Sequence, residues 1–279
     1  MKPFSTAERC VIRSLGLLLL TISVSACISQ RKDERLHSTL WVQTSAEYAV
    51  STHQVYSMAR DHLQPAVTDP GWSALGGTID PGQSVAIIVD IDETVLDNAG
   101  HAARAIIARE SFNVDNWRTW VREAAAPPVP GAVEYLRQVD AAGVTIFYVS
   151  NRHHDLEEPT RKNLAALGCP LRTDIDVVLL REERPDWGRD KSTRRDWVAK
   201  DFRVVQIVGD DLHDFTSVPQ DADHEVRADI ADRHAEQWGR KWFLLPNPIY
   251  GGWEEALMHG EHSRFVKPLD RKLQQLETR

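Results

Sequence analysis

Val85-Ala86-Ile87-Ile88-Val89-Asp90-Ile91-Asp92-Glu93-Thr94-Val95-Leu96-Asp97-Asn98 is the stretch that decides the fold. Val85 to Val89 is a short apolar run without alternation, which predicts a strand buried on both faces. The carboxylates begin where the run stops. Side chains two apart on an extended chain point to the same side, so Asp90 and Asp92 project together from the strand end. Burying charge there is costly without a partner, and a bound cation would offset that cost.

Working outward, similar runs recur at Val144 to Val149, Asp176 to Leu180, Val204 to Val208 and Trp242 to Leu245. Helical patterns lie between them, at Gly131 to Ala142, Glu157 to Leu167 and Lys191 to Lys200. Strands alternating with helices predict an α/β fold, a Rossmann-like parallel sheet covered on both faces. Ligands in such folds sit beyond the carboxyl ends of the strands. The link from Glu93 to Gly143 exceeds the roughly dozen residues a crossover needs. The excess predicts a small α-helical cap inserted after the first strand, about residues 95–130, closed by Pro127-Pro128-Val129-Pro130. Upstream, Trp41, Tyr48 and Val55 recur at seven-residue spacing and predict one helix from Leu40 to Leu63, limited by Pro65.

Three later strand ends carry candidate chemistry. Ser150-Asn151-Arg152 ends the second strand, where a hydroxyl and backbone N–H groups can hold a phosphoryl oxygen. Lys191 opens a helix after the third strand and can neutralise both a phosphate and a carboxylate. Gly209-Asp210-Asp211-Leu212-His213-Asp214-Phe215 ends the fourth strand, and its carboxylates suit a hard cation.

The chain of 279 residues carries a formal net charge of −8, a poor match for non-specific nucleic-acid binding. Nine tryptophans are many, and most are expected in the core. Lys2, Arg9 and Arg13 precede the apolar run Leu15 to Val24, too short to span a bilayer, and Val24-Ser25-Ala26-Cys27 follows. This reads as an export signal over residues 1–26, with Cys27 either lipid-modified or left beside an ordinary cut after Ala26. Residues 27–37 read as a charged tether. Loss of the signal and lipidation of Cys27 would leave Cys169 as a single structural thiol, so no disulfide is expected.

These four strand-end elements, in this order, resemble the haloacid dehalogenase-like (HAD-like) hydrolase superfamily. Residues 90–98, Ser150-Asn151-Arg152, Gly209-Asp210 with Asp214-Phe215, and Leu245-Pro246-Asn247-Pro248-Ile249-Tyr250-Gly251-Gly252-Trp253-Glu254 are similar to the class C bacterial acid phosphatases, outer-membrane lipoproteins of that superfamily. Trp41-Val42-Gln43-Thr44-Ser45-Ala46-Glu47-Tyr48 resembles their opening helix. The likeness covers about residues 38–255. The phosphatase domain is expected over 38–260 and a charged tail over 261–279.

The resemblance implies a phosphomonoesterase acting on nucleoside monophosphates and other small esters. Asp90 would be the nucleophile, forming an aspartyl-phosphate, and Asp92 the general acid and base. One Mg²⁺ would be held by Asp90, the Asp92 carbonyl, Asp210 and Asp214. Thr94, Ser150, Asn151 and Lys191 would bind phosphate. Phe112, Trp117 and Tyr250 would form an aromatic slot for the base. Asp211 stands where many relatives carry Asn, and His213 where an acidic residue is common. Ile28, in place of Asp after Cys27, points the anchor to the outer membrane. The oligomeric state stays open, a dimer included. Two rivals stay open as well: a phosphotransferase on the same intermediate, and a non-catalytic binding or storage protein of this fold.

Overall fold

In a computed structural model, residues 33–77, 80, 82–258 and 268–276 are described. The expected export signal and Cys27 lie outside them. Helix α1 (Arg35–Thr44) begins within the stretch expected as tether, because the Asp33 carboxylate accepts the Arg35 N–H at 3.0 Å and pairs with its guanidinium at 2.8 Å. The single helix expected from Leu40 is two. Ser45 is extended and its hydroxyl accepts the Tyr48 N–H at 3.0 Å, so it caps a new helix, α2 (Ala46–Thr68). Trp41 and Tyr48 still meet edge to face across the break, with ring centroids 5.4 Å apart. Pro65 does not stop α2, which runs three residues beyond it with the proline on the exposed side.

Five strands follow: β1 (Ser84–Val89), β2 (Thr145–His153), β3 (Val178–Arg181), β4 (Phe202–Gly209) and β5 (Trp242–Leu244). They form one sheet in the order β3-β2-β1-β4-β5, with every neighbouring pair parallel. Helices α3 (Ala99–Ala108), α4 (Val114–Glu123) and α5 (Ala132–Ala141) lie between β1 and β2. Then come α6 (Glu157–Ala166), α7 (Ser192–Asp201), the single turn α8 (Leu212–Phe215), α9 (His224–Arg233), α10 (Gly252–Ala256) and α11 (Pro268–Gln274).

The register shows why the central strands read as largely apolar runs, with Gln206 the polar residue within Val204 to Val208. Ile87, Ile146 and Gln206 share one level, and Ile88, Phe147 and Ile207 the next. Successive levels face opposite sides. On the first side Gln206 bonds the Tyr135 hydroxyl of α5 at 2.6 Å and the Ala59 carbonyl of α2 at 2.7 Å. On the second, Phe147 packs edge to face on Trp197 of α7 at 6.2 Å. Both faces are therefore roofed by helices, and the central strands are buried from Ala86 to Val89 in β1, Thr145 to Ser150 in β2 and Arg203 to Gly209 in β4.

Helices α3 and α4 leave and rejoin the sheet through a narrow neck. Asp97 N–H donates to the Pro127 carbonyl at 2.8 Å and Val129 N–H to the Val95 carbonyl at 2.9 Å. Cys169 is buried, and burial pushes its thiol up to about 11, as befits a structural residue. Among the described residues no helix is long and apolar enough to cross a membrane.

Candidate active site

The carboxyl ends of β1, β2 and β4 converge on one cluster. Asp90 continues β1, its N–H bonded to the Val208 carbonyl of β4 at 2.9 Å. Glu93 then takes a left-handed φ of 57°, which turns the chain back on itself; the Val95 and Leu96 N–H groups both reach the Ile91 carbonyl at 2.8 Å. This tight loop places Asp90 and Asp92 in separate surroundings.

Asp90 is almost fully buried. Lys191, at the N-terminus of α7, donates to Asp90 Oδ1 and, at 2.5 Å, to Asp214 Oδ1. Burial holds the Asp90 carboxyl up at about 7, with the charges of Asp214 and Asp92 adding and Lys191 opposing. Burial also lifts Asp210 well above the usual carboxylate range, and Asp214 and Asp90 lift it further. Burial draws the Lys191 ammonium down, but Asp214 and Asp90 outweigh it and leave its affinity for the proton raised. The cluster is short of positive charge.

Asp90, Asp210 and Asp214 each offer a carboxylate oxygen within 4.8 Å of the others. A hard oxygen donor set, with Asp90 and Asp214 buried and Asp210 half-buried, fits a divalent cation that would relieve the repulsion among the three carboxylates. The three oxygens are not equally available. Asp214 spends Oδ1 on Lys191 and Oδ2 on the N–H groups of Asp210 and Asp211, each at 3.0 Å. Asp210 accepts from the Asn247 amide at 2.8 Å and from the Thr94 hydroxyl at 3.4 Å.

This doubling back of Asp214 depends on Gly209. A Cβ at residue 209 would lie 2.3 Å from Asp214 Oδ2 and 2.5 Å from its Cβ. Asp211 completes the turn as the N-cap of α8 and also holds His213 Nδ1 at 2.6 Å and the Gly252 N–H at 2.5 Å. The cost of its burial is outweighed by the bonds from the His213 ring and backbone N–H and by the charge of Arg227, which hold its carboxyl below the usual range.

Asp92 belongs to a second network. Arg152 reaches its carboxylate through Nε at 3.1 Å and a terminal nitrogen at 2.8 Å, Asn98 through its amide at 2.9 Å, and Ser150 through its hydroxyl at 3.4 Å. The Asp92 side chain is thus drawn toward β2 and away from the three-carboxylate cluster.

The residues expected to hold phosphate are placed unevenly. Ser150 and Lys191 are buried beside Asp92 and Asp90. Thr94 faces Asp210. Asn151 is exposed, and its amide oxygen accepts from the Arg194 guanidinium at 2.7 Å. Arg194 also holds the Ser150 carbonyl at 2.5 Å; burial lowers its guanidinium to about 10.

Of the aromatic residues, Phe112 is 64% exposed and Tyr250 42%. His101 stands between Phe112, at 6.2 Å, and Trp117, at 5.2 Å. The Tyr250 hydroxyl donates to Glu93, whose carboxyl is raised by burial and by Asp92.

Sequence reasoning assigned no role to Arg152, Asn98, Asn247, Arg194 or Trp120. Arg152 had a signal: it lies two residues from Ser150 on an extended strand and so shares its side. Asn98 and Trp120 had none, because their partners are set by how α4 lies over the β1 loop.

A family model described as HAD superfamily, subfamily IIIB (Acid phosphatase) matches residues 9–253. The structure is similar to that of the class C acid phosphatase from Bacillus anthracis, with a TM-score of 0.75 and 30% identity, covering 88% of this chain and 98% of that one. The tungstate-bound crystal structure of that enzyme gives 0.76 and 30% identity, covering 89% and 98%. Acid phosphatase 1 of Solanum lycopersicum is 26% identical over 176 residues, 61% of this chain. The match spans 60% of the length of that curated relative.

Proposed function

Because the chain belongs to subfamily IIIB of the HAD superfamily, the acid phosphatases, we propose that it hydrolyses small phosphomonoesters through an aspartyl-phosphate on Asp90. The observation that carries this reading is the buried Asp90 carboxylate held at Oδ1 by Lys191, which leaves Oδ2 to attack phosphorus. Lys191 also screens the repulsion between that carboxylate and an approaching phosphate.

Asp92 protonates the departing oxygen, and the same carboxylate then takes a proton from the water that opens the aspartyl-phosphate. Ser150 lies beside Asp92 and can donate to a phosphoryl oxygen. Mg²⁺ is the ion we propose for Asp90, Asp210 and Asp214, with the Asp92 carbonyl; bound there it neutralises phosphate charge. Positioning and charge stabilisation are what phosphoryl transfer needs most.

For substrate we propose nucleoside monophosphates. Trp117 and His101 supply a half-exposed aromatic surface within the insert, Phe112 extends it, and Tyr250 stands on the rim of the β1 loop. We also propose a lipid on Cys27 that anchors the enzyme to the outer membrane.

The test is phosphate release from AMP, NMN, sugar phosphates and p-nitrophenyl phosphate, with Mg²⁺ or EDTA, on protein truncated before residue 30. Chelator-sensitive hydrolysis led by nucleotides, abolished in Asp90→Asn, is expected. Full activity in Asp90→Asn would sink the mechanism; hydrolysis without base preference would remove the aromatic slot.

A further inference from the structure

Of the three side chains that donate to Asp92, Arg152 and Asn98 come from different segments and each leans on a tryptophan of the same helix. Arg152, on β2, has a side chain only 1% exposed. Its other terminal nitrogen is tied to the Thr160 hydroxyl at 3.0 Å, and its guanidinium carbon lies 5.6 Å from the centroid of the Trp117 ring. Asn98, in the β1 loop, turns its amide nitrogen to Asp92 and its amide oxygen to the Trp120 indole N–H, at 2.9 and 2.7 Å.

Trp117 and Trp120 are three residues apart on α4 and so share one face of it. Trp120 is itself seated tightly: a Cβ at Gly100 would meet its ring at 2.7 Å. The indole N–H can only donate, so it must take the oxygen end of the Asn98 amide. That choice leaves the nitrogen end for Asp92. A ring on the insert thereby fixes the rotamer of a donor on the catalytic loop.

The result is an asymmetric grip. Asp92 Oδ1 takes the shortest bonds, at 2.8 Å from Arg152 and 2.9 Å from Asn98. Oδ2 takes only longer ones, at 3.1 Å from Arg152 Nε and 3.4 Å from Ser150. A carboxyl that must pass a proton at a defined point needs one oxygen pinned and the other available.

We propose that Asn98 and Arg152 are positioning residues for proton transfer by Asp92, and that α4 sets their geometry through Trp120 and Trp117. The inference rests on the acid and base role proposed for Asp92. It makes the insert part of the catalytic alignment as well as a cover for substrate.

The test compares leaving groups in Asn98→Ala, Arg152→Lys and Trp120→Phe. An alkyl phosphate such as glycerol phosphate needs its departing oxygen protonated, whereas p-nitrophenolate departs without a proton. The quantity to measure is kcat/KM, which reports phosphoryl transfer to the enzyme and excludes the later hydrolysis step. The ratio of alkyl to aryl kcat/KM is expected to fall about tenfold in Asn98→Ala and Arg152→Lys, part of the 10²–10⁴ that proton transfer contributes. Trp120→Phe keeps a ring and removes only the N–H, and is expected to lower the ratio about threefold. This variant carries the contrast if either of the others does not fold. Equal losses on both esters, or no loss on the alkyl ester, would overturn the proposal by reducing these residues to packing. Wild-type protein that releases phosphate from neither ester would instead overturn the phosphatase reading itself.

Discussion

Gly209→Ala should cost far more than one methyl group ordinarily does. The added Cβ would lie 2.3 Å from Asp214 Oδ2, about 1 Å inside normal contact. Neither side can yield cheaply. Residue 209 is the last of β4, paired with β5, and Asp214 is held by Lys191 and by the N–H groups of Asp210 and Asp211. The carboxylate must leave both N–H groups, each a charge-assisted bond of about 1.5–3 kcal/mol, so a loss of about 3–6 kcal/mol is expected. Set against a typical stability of about 5–15 kcal/mol, that is a large fraction. Activity should fall as well, because Lys191 loses one of its two anionic partners beside Asp90. A shift of about 1 Å in such a group costs on the order of a hundredfold in kcat/KM. Gly188→Ala is the control: nothing lies within 4 Å of a Cβ there, and the site is exposed. It should be neutral or slightly stabilising. Urea unfolding and initial rates on p-nitrophenyl phosphate check both variants. A Gly209→Ala protein within about 0.5 kcal/mol of wild type, with full activity, would refute the reasoning.

Two further perturbations follow from the same physics. Arg203 is buried on β4 and donates to the carbonyls of Ala66, Asp69, Trp72 and Val67 at 2.8–3.0 Å, closing the end of α2; Arg203→Met should cost about 3 kcal/mol, and a urea-derived loss under about 1 would show those carbonyls are satisfied otherwise. Burial holds the half-buried Glu183 carboxyl at about 7, helped by Asp176 and Glu157. The folded state therefore binds this proton more tightly than the unfolded chain, so the associated stability is present at low pH and is lost as pH rises from about 4.3 through 7. Glu183→Gln should raise stability relative to wild type at pH 8 but not at pH 4, by about 1 kcal/mol after solvent screening, and equal Tm differences at both pH values would contradict this.

The fold was legible because its information is local. A strand buried on both faces is apolar at most positions, and β1 announces itself that way, as does β4 apart from Arg203 and Gln206, whose polar groups are hydrogen-bonded. The alternation with helices dictates a parallel sheet, and the strand ends then locate Asp90, Lys191 and Asp210 without knowledge of packing. Helix boundaries were less legible. Ser45 splits the opening helix because its hydroxyl competes for a backbone N–H, and Pro65 is tolerated on an exposed side of α2.

What the chain determined by itself was therefore the sheet, the covering helices and the carboxylates at the strand ends, each set by periodicity and by the cost of burying charge. What only the tertiary structure decided was which oxygen meets which donor. Asp92 turns to Arg152 and Asn98 instead of the three-carboxylate cluster, Asp214 folds back over Gly209, and Trp120 orients the Asn98 amide. Those choices depend on distances between segments far apart in sequence, and a hydrogen bond discriminates among partners over tenths of an ångström, a scale that residue spacing along the chain does not encode.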